Sequence, residues 1–194
     1  MGDVHTTNAI EFLLGEHLRF QRAFQELDDL LKEGDPAPIA EAFRDLRKDL
    51  STHEEAEETI LWPAVRADVP GGEDLVRGRL EEEQTLKEQL AQLDETDVAD
   101  SEFPIRARAF MQAVLAHAEQ EEQQVFPAVR KALDENRITQ LGGALRAAKA
   151  IVPTRPHPAA PNTPPGNLVA GLVAGVVDRA RDVAQAAVSR IRKP

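Results

Sequence analysis

Residues 53–66 read HEEAEETILWPAVR and residues 117–130 read HAEQEEQQVFPAVR, and the two stretches agree without gaps at eight of fourteen positions. Each opens with His-x-x-x-Glu and carries an aromatic-Pro step further on, at Trp62-Pro63 and Phe126-Pro127. Residues four apart share one face of an α-helix, so the repeated spacing predicts helices rather than strands. The first stretch completes an apolar run of Ile39, Phe43, Leu46, Leu50, Ile60 and Ala64, in which His53 and Glu57 fill the three- and four-residue steps. The second belongs to a run of Phe103, Ala107, Phe110, Val114 and Ala128, with His117 and Glu121 on the same face.

Two further helices are predicted between and before these. Asn8 and Glu11 have the spacing of a capping box, and an apolar stripe of Ile10, Leu13, Leu14, Phe20, Phe24, Leu27 and Leu31 follows until Gly34, Asp35 and Pro36 end it. After the break at Val69, Pro70, Gly71 and Gly72 comes a stripe of Leu75, Leu86, Leu90 and Leu93. His17 precedes Phe20, Phe24 and Leu27 at offsets of three, seven and ten, and Glu83 precedes Leu86, Leu90 and Leu93 at the same offsets. The chain thus reads as two helix hairpins related by pseudo-symmetry. The fold class is all-α: an antiparallel up-down-up-down four-helix bundle within residues 1–151, with a short helical stretch over 137–150. A proline-rich, extended linker is expected over 152–167 and an amphipathic helix over 168–194.

Composition narrows the function. The 194 residues contain no cysteine, so neither disulfides nor zinc-thiolate or iron-sulfur sites are available, and any metal must be held by nitrogen and oxygen. A net charge of −11 opposes nucleic-acid binding, which depends on clustered Lys and Arg. Neither a leader pattern nor an apolar run of membrane-spanning length is visible, so a cytoplasmic location is the simplest expectation. No nucleophile arrangement or phosphate-binding glycine loop points to another enzyme class, and whether the chain is an enzyme stays open.

The polar residues within the apolar stripes carry the functional signal. Glutamate is almost never fully buried without a partner, because an isolated buried carboxylate is costly. His17, His53, Glu57, Glu83, His117 and Glu121 all fall on core-facing positions near mid-helix, where a bundle brings them to one height. Two His-x-x-x-Glu pairs suit a dinuclear site, since a carboxylate can bridge two cations while each imidazole supplies a terminal nitrogen. Such ions and ligands make each other's burial tolerable.

With GEHLRF around His17, HEEAEETILWP from His53 and HAEQEEQQVFP from His117, residues 9 to about 134 resemble the hemerythrin-like, or HHE cation-binding, domain family. The resemblance implies two iron ions, with manganese or zinc as alternatives for the same donors, and an oxo or hydroxo bridge. It implies Glu57 and Glu121 as bridges and His17, His53 and His117 as terminal ligands. Some family members also use the residue after the first His, which leaves Glu54 open between ligand and solvated surface. The third helix of the family normally supplies a His; here the register gives Glu83, with Gln84 pointing off the stripe. A carboxylate there favours the ferric state, so oxidative reaction with O₂, peroxide or NO, or iron storage or sensing, is expected rather than reversible O₂ carriage. Ferritin-like bundles differ in using Glu-x-x-His, which these helices lack.

Other readings remain open from the sequence. One is an iron- or oxygen-responsive regulatory module acting through the tail; another is a metal-free structural bundle. The tail has a broad apolar face with Arg179, Arg181, Arg190, Arg192 and Lys193 among its polar positions, suited to docking on protein or on an anionic membrane surface. His5, His157, Glu55, Glu58, Glu119 and Glu122 are expected to face water.

Overall fold

The Asn8 side chain accepts a hydrogen bond from the Glu11 amide at 2.9 Å and starts α1 (Ala9–Glu33) as the capping spacing predicts. The helix stops at Gly34, whose φ of 80° lies in the left-handed region that favours glycine. Asp35 then caps α2 (Pro36–Ala56), with Pro36 at a first-turn position where its missing N–H is harmless. The computed structural model describes residues 7–160 together with Ala174, Asp178, Arg181 and Asp182.

Both repeated segments depart from a plain α-helix at the same place. A π-helical turn occupies Glu57–Leu61 between α2 and α3 (Trp62–Asp68). After α4 (Gly72–Glu95), a second occupies Glu121–Val125 between α5 (Phe103–Gln120) and α6 (Phe126–Ala132). The Trp62 amide donates to the Glu57 carbonyl and the Phe126 amide to that of Glu121, each spanning five residues. Pro63 and Pro127 follow, and a proline removes one i→i−4 bond and crowds the carbonyl four residues back. The distortion that a proline imposes on a helix takes the form of a π turn just before each of them.

That extra residue shifts the stripes. Ile60 and Ala128, expected in the core, are only partly buried, whereas Leu61, Val65, Val125 and Val129 are enclosed. On α4 the stripe runs through Val76 and Leu80, with Leu75 only partly buried.

The described chain is helical throughout its regular elements. α1 packs on α2 and α5, and α4 packs on the same two, closing four rods around a common interior. Two apolar clusters fill it. One holds Phe20, Phe24, Leu50, Leu86, Leu90, Phe110 and Val114; the other holds Ile10, Leu13, Trp62, Val65, Val76 and Val129.

The second cluster depends on α7 (Glu135–Lys149), longer at its start than the short stretch expected at 137–150. Asp134 caps it by accepting from the Arg137 amide at 2.8 Å. Its Ile138, Leu141 and Leu145 are buried, each burial worth about 1.5–3 kcal/mol in transfer free energy. The helix lies against α1, α2 and the first π turn. Residues 51–58 are all buried, and Glu55 and Glu58 both accept from Lys87 of α4, which corrects the expectation that they face water. Glu119 is exposed, as expected.

The first part of the proline-rich stretch is not a free spacer. Val152, Pro153 and Thr154 are buried, and the Thr154 and Arg155 amides donate to the Asp178 carboxylate at 3.2 and 3.1 Å. His157 is also not simply solvated, since its Nε2 lies 2.9 Å from that carboxylate. The amphipathic helix expected at 168–194 lies, apart from four residues, outside the described residues, as does His5. No described helix is long and apolar enough to cross a membrane.

Gly142 shows how tightly α7 is seated. A Cβ there would lie 2.7 Å from the Thr7 carbonyl oxygen and the Ala9 nitrogen, so backbone meets backbone. Gly142→Ala should lower unfolding free energy by about 1–3 kcal/mol in urea denaturation. The adjacent Gly143→Ala, with open space around it, should instead stabilise by up to about 1 kcal/mol through helix propensity.

Candidate metal centre

Between the two apolar clusters lies a polar layer, and all six side chains singled out from the sequence are in it. His17, His53 and His117 are at most 4% exposed; Glu57, Glu83 and Glu121 are at 0%. Two overlapping groups have donor atoms within 4.8 Å of one another: His17, His53, Glu57 and Glu121; and Glu54, Glu57, Glu83 and His117. Glu57 belongs to both. Glu121 also faces both, with Oε2 3.3 Å from His17 Nε2 and Oε1 3.3 Å from His117 Nε2. Glu54, left open by the sequence, is buried and part of the second group. Gln84 points elsewhere, donating to the Pro158 carbonyl at 3.0 Å.

The two carboxylates that face both groups coincide with the irregular backbone. Glu57 and Glu121 each begin a π turn, so the local sequence that forces the bulge, an aromatic-Pro step five residues on, also presents the two central carboxylates. Phe20 meets His53 edge-on with ring centroids 5.0 Å apart, and Phe126 stacks on His17 at 5.8 Å, restricting both imidazoles.

Each imidazole is also held from behind. His17 Nδ1 lies 2.8 Å from Glu122, His53 Nδ1 3.1 Å from Glu16, and His117 Nδ1 3.0 Å from Glu82. An ionised carboxylate only accepts, so in each neutral ring the proton stays on Nδ1 and the Nε2 lone pair faces the cluster. Lys149 of α7 anchors Glu16 at 2.6 and 2.8 Å, and Trp62 Nε1 donates to Glu83 Oε1 at 2.5 Å.

These supporting groups escaped the sequence reading, which placed Glu122 in water and did not consider Glu16 or Glu82. The internal repeat held a usable signal. Glu16 precedes His17 as Glu82 precedes Glu83, and Glu58 follows Glu57 as Glu122 follows Glu121.

Packing so many acids together distorts their ionisation. Burial first, then the Glu121 and Glu54 charges, push the Glu57 carboxyl well above the usual range. Burial, Glu54 and Glu58 do the same to Glu83. Burial alone would lower the His117 pKa, but the facing Glu121 carboxylate, with Glu54 and Glu82, raises it to about 10. The reciprocal effect of His117 and His17 overrides burial at Glu121 and holds its carboxyl well below the ordinary range. At Glu16, His53 and Lys149 overcome burial and bring it down to about 2.

Even so, the protein's own groups do not satisfy the cluster. His17 Nε2, His117 Nε2, Glu54 Oε2, Glu83 Oε2 and both oxygens of Glu57 and Glu121 are buried without a hydrogen bond. Buried polar atoms left without hydrogen bonds cost about 1–3 kcal/mol each, so this set of inward-facing nitrogens and oxygens fits a cation rather than an apolar filling.

Comparison with known proteins agrees with this geometry. Residues 8–129 match the family described as Hemerythrin HHE cation binding domain. An uncharacterized hemerythrin-like protein of Schizosaccharomyces pombe is 30% identical over 136 residues, 70% of this chain and 67% of that protein. A Nostoc protein described as a DNA nickase is 31% identical over 153 residues, 79% of this chain but 42% of that relative, so the chain spans less than half of it. The crystal structure of a hemerythrin HHE cation-binding domain-containing protein from Mycobacterium kansasii shares the fold, with a TM-score of 0.63 at 21% identity. That likeness covers 74% of this chain and 85% of the mycobacterial one. The chain belongs to the hemerythrin HHE cation-binding domain family.

Proposed function

We propose that this protein holds two non-haem iron ions in the polar layer and that the pair reacts with O₂, peroxide or NO. The observation that carries the reading is the convergence of unsatisfied His and Glu atoms in two overlapping groups that share Glu57. His17 and His53 would be terminal donors to one ion, and Glu54, Glu83 and His117 to the other. Glu57 and Glu121 would bridge. Four ionised carboxylates carry −4, which matches the charge of two divalent ions. Imidazole and carboxylate donors suit iron and also accept manganese or zinc. The short loops at residues 34–35 and 69–71 support reading the four rods as an antiparallel up-down-up-down bundle.

When bound, an iron pair supplies one-electron redox chemistry toward O₂, peroxide or NO. The residues of the chain decide its setting. Phe20, Phe126, Leu50 and Val114 border the polar layer with apolar surface, limiting water around the donors. Glu122, Glu16 and Glu82 hold the imidazole protons at Nδ1 and thereby the orientation of each ring. Glu54 and Glu83 make the second group richer in carboxylate than the first, and hard anionic oxygen favours the ferric over the ferrous state. Oxidative reaction, with the protein left ferric, is accordingly favoured over reversible O₂ carriage.

Anaerobic reconstitution with ferrous iron followed by elemental analysis should give two ions per chain. Glu57→Ala with Glu121→Ala should lose both while circular dichroism still reports a helical protein. Two ions retained by that double variant would remove Glu57 and Glu121 from the site. Air exposure of the loaded wild type should give ferric absorption that persists under vacuum; recovery of ferrous protein and free O₂ would contradict the oxidative reading.

The pH dependence has a definite sign. Without metal, the raised His117 pKa contributes stability that is fully present below 6.5 and is lost as pH rises through about 10. The raised carboxyls of Glu57 and Glu83 likewise make the metal-free fold weaker as pH climbs above 4.5. Metal binding expels these protons, so its stabilisation grows in the same direction. The rise in Tm on adding metal should be larger at about pH 8 than at about pH 6. An equal or smaller rise at the higher pH would mean that these groups are not the ligands.

A further inference from the structure

The duplicated halves differ most at one point. On equivalent turns of α1 and α4, His17 corresponds to Glu83 and Gln21 to Lys87. In the first half, His17 Nδ1–H donates to Glu122, a donor facing an acceptor. In the second half Glu58 takes the place of Glu122 and Glu83 that of His17, so two acids stand where an imidazole and an acid meet in the other copy. Ionised, they would repel.

Lys87 lies one helical turn beyond Glu83 and is 5% exposed, whereas its counterpart Gln21 faces solvent. Its ammonium donates to Glu58 Oε1 at 2.7 Å and to Glu55 Oε1 at 2.8 Å. Glu55 is buried too, while its counterpart Glu119 is exposed. Three buried ionic groups therefore accompany the single exchange of His for Glu. Packing does not account for them, because apolar residues of similar volume fill such space at least as stably. On the other side of Glu83, Trp62 Nε1 fixes Oε1, and Oε2 is left in the cluster without a hydrogen bond.

We propose that Lys87 is the positioning residue that lets Glu83 serve as an oxygen donor to a divalent cation. By drawing the Glu58 charge onto its own ammonium, it relieves the repulsion behind Glu83 and leaves the inner oxygen free to face the ion. This rests on the two-ion reading above and explains how the second half works without the imidazole of the first.

The test uses the full chain, ferrous iron alone as probe, and anaerobic titration of stoichiometry and affinity. Lys87→Gln should keep one ion at wild-type affinity and weaken the second on the order of 10- to 100-fold. Adding Glu83→His should restore two ions, because the new Nδ1–H can donate to Glu58 as His17 does to Glu122. That double variant leaves Glu55 and Glu58 without their lysine, so its recovery cannot come from repairing the ion cluster. Lys87→Gln binding both ions at wild-type affinity, or the double variant binding as weakly as the single one, overturns the proposal. Should Lys87→Gln fail to fold, Lys87→Gln with Glu58→Gln takes its place: two ions are expected, since the amide can donate to Glu83, and one ion overturns the proposal. Fewer than two ions in the wild type would sink the centre and this inference together; two ions bound with equal affinity by wild type and Lys87→Gln would sink the inference alone.

Discussion

Carboxylates gathered inside a helical interior repel one another and lose the water that would screen them, and the architecture of this protein answers that constraint at every level. Glu57, Glu83 and Glu121 have no exposed surface, with Glu54 beside them. Protons, imidazoles and cations are the available means of neutralisation, and the first two leave Glu57 and Glu121 with both oxygens unsatisfied. The apolar clusters above and below the layer set the position of the charges, and the charges in turn divide the core.

Around the inner donors runs a second layer built by the same duplication. His53 leans on Glu16 as His117 leans on Glu82, and His17 pairs with Glu122, the counterpart of Glu58 in the other half. Symmetry of the backbone is thus kept in the side chains that orient the donors. Where it breaks, at Glu83, the departure spreads outward into Lys87 and Glu55 rather than stopping at one residue. Exchanging an imidazole for a carboxylate in a buried polar layer disturbs whatever stands behind it, because the low dielectric of the interior magnifies any charge left over.

The parts of the chain beyond residue 129 are not an appendage to this site. Lys149 of α7 reaches Glu16, the acid behind His53, and α7 supplies one wall of the upper core. In the stretch that follows, Arg155 and Pro156 line one cavity together with Ser51, Glu54 and Lys87.

The sequence by itself determined the four long helices, the cap of the first and the inward-facing His and Glu positions. Periodicity reports which face of a helix is apolar, and His17, His53, Glu57, Glu83, His117 and Glu121 interrupt that face in a repeated pattern. It also distinguished Glu83 from Gln84, since one residue is a rotation of about 100° on a helix. Only the tertiary structure decided the rest. Glu55 and Glu58 look like solvated residues because local periodicity says nothing of a cation on another helix, here Lys87 of α4, that reaches over to both. The π turns moved Ile60 and Ala128 to the margin of the core, against which they still pack, because one inserted residue rotates the stripe. Glu16 and Lys149 are 133 positions apart in the chain, and their pairing depends on packing between helices, a relation that no short-range pattern encodes.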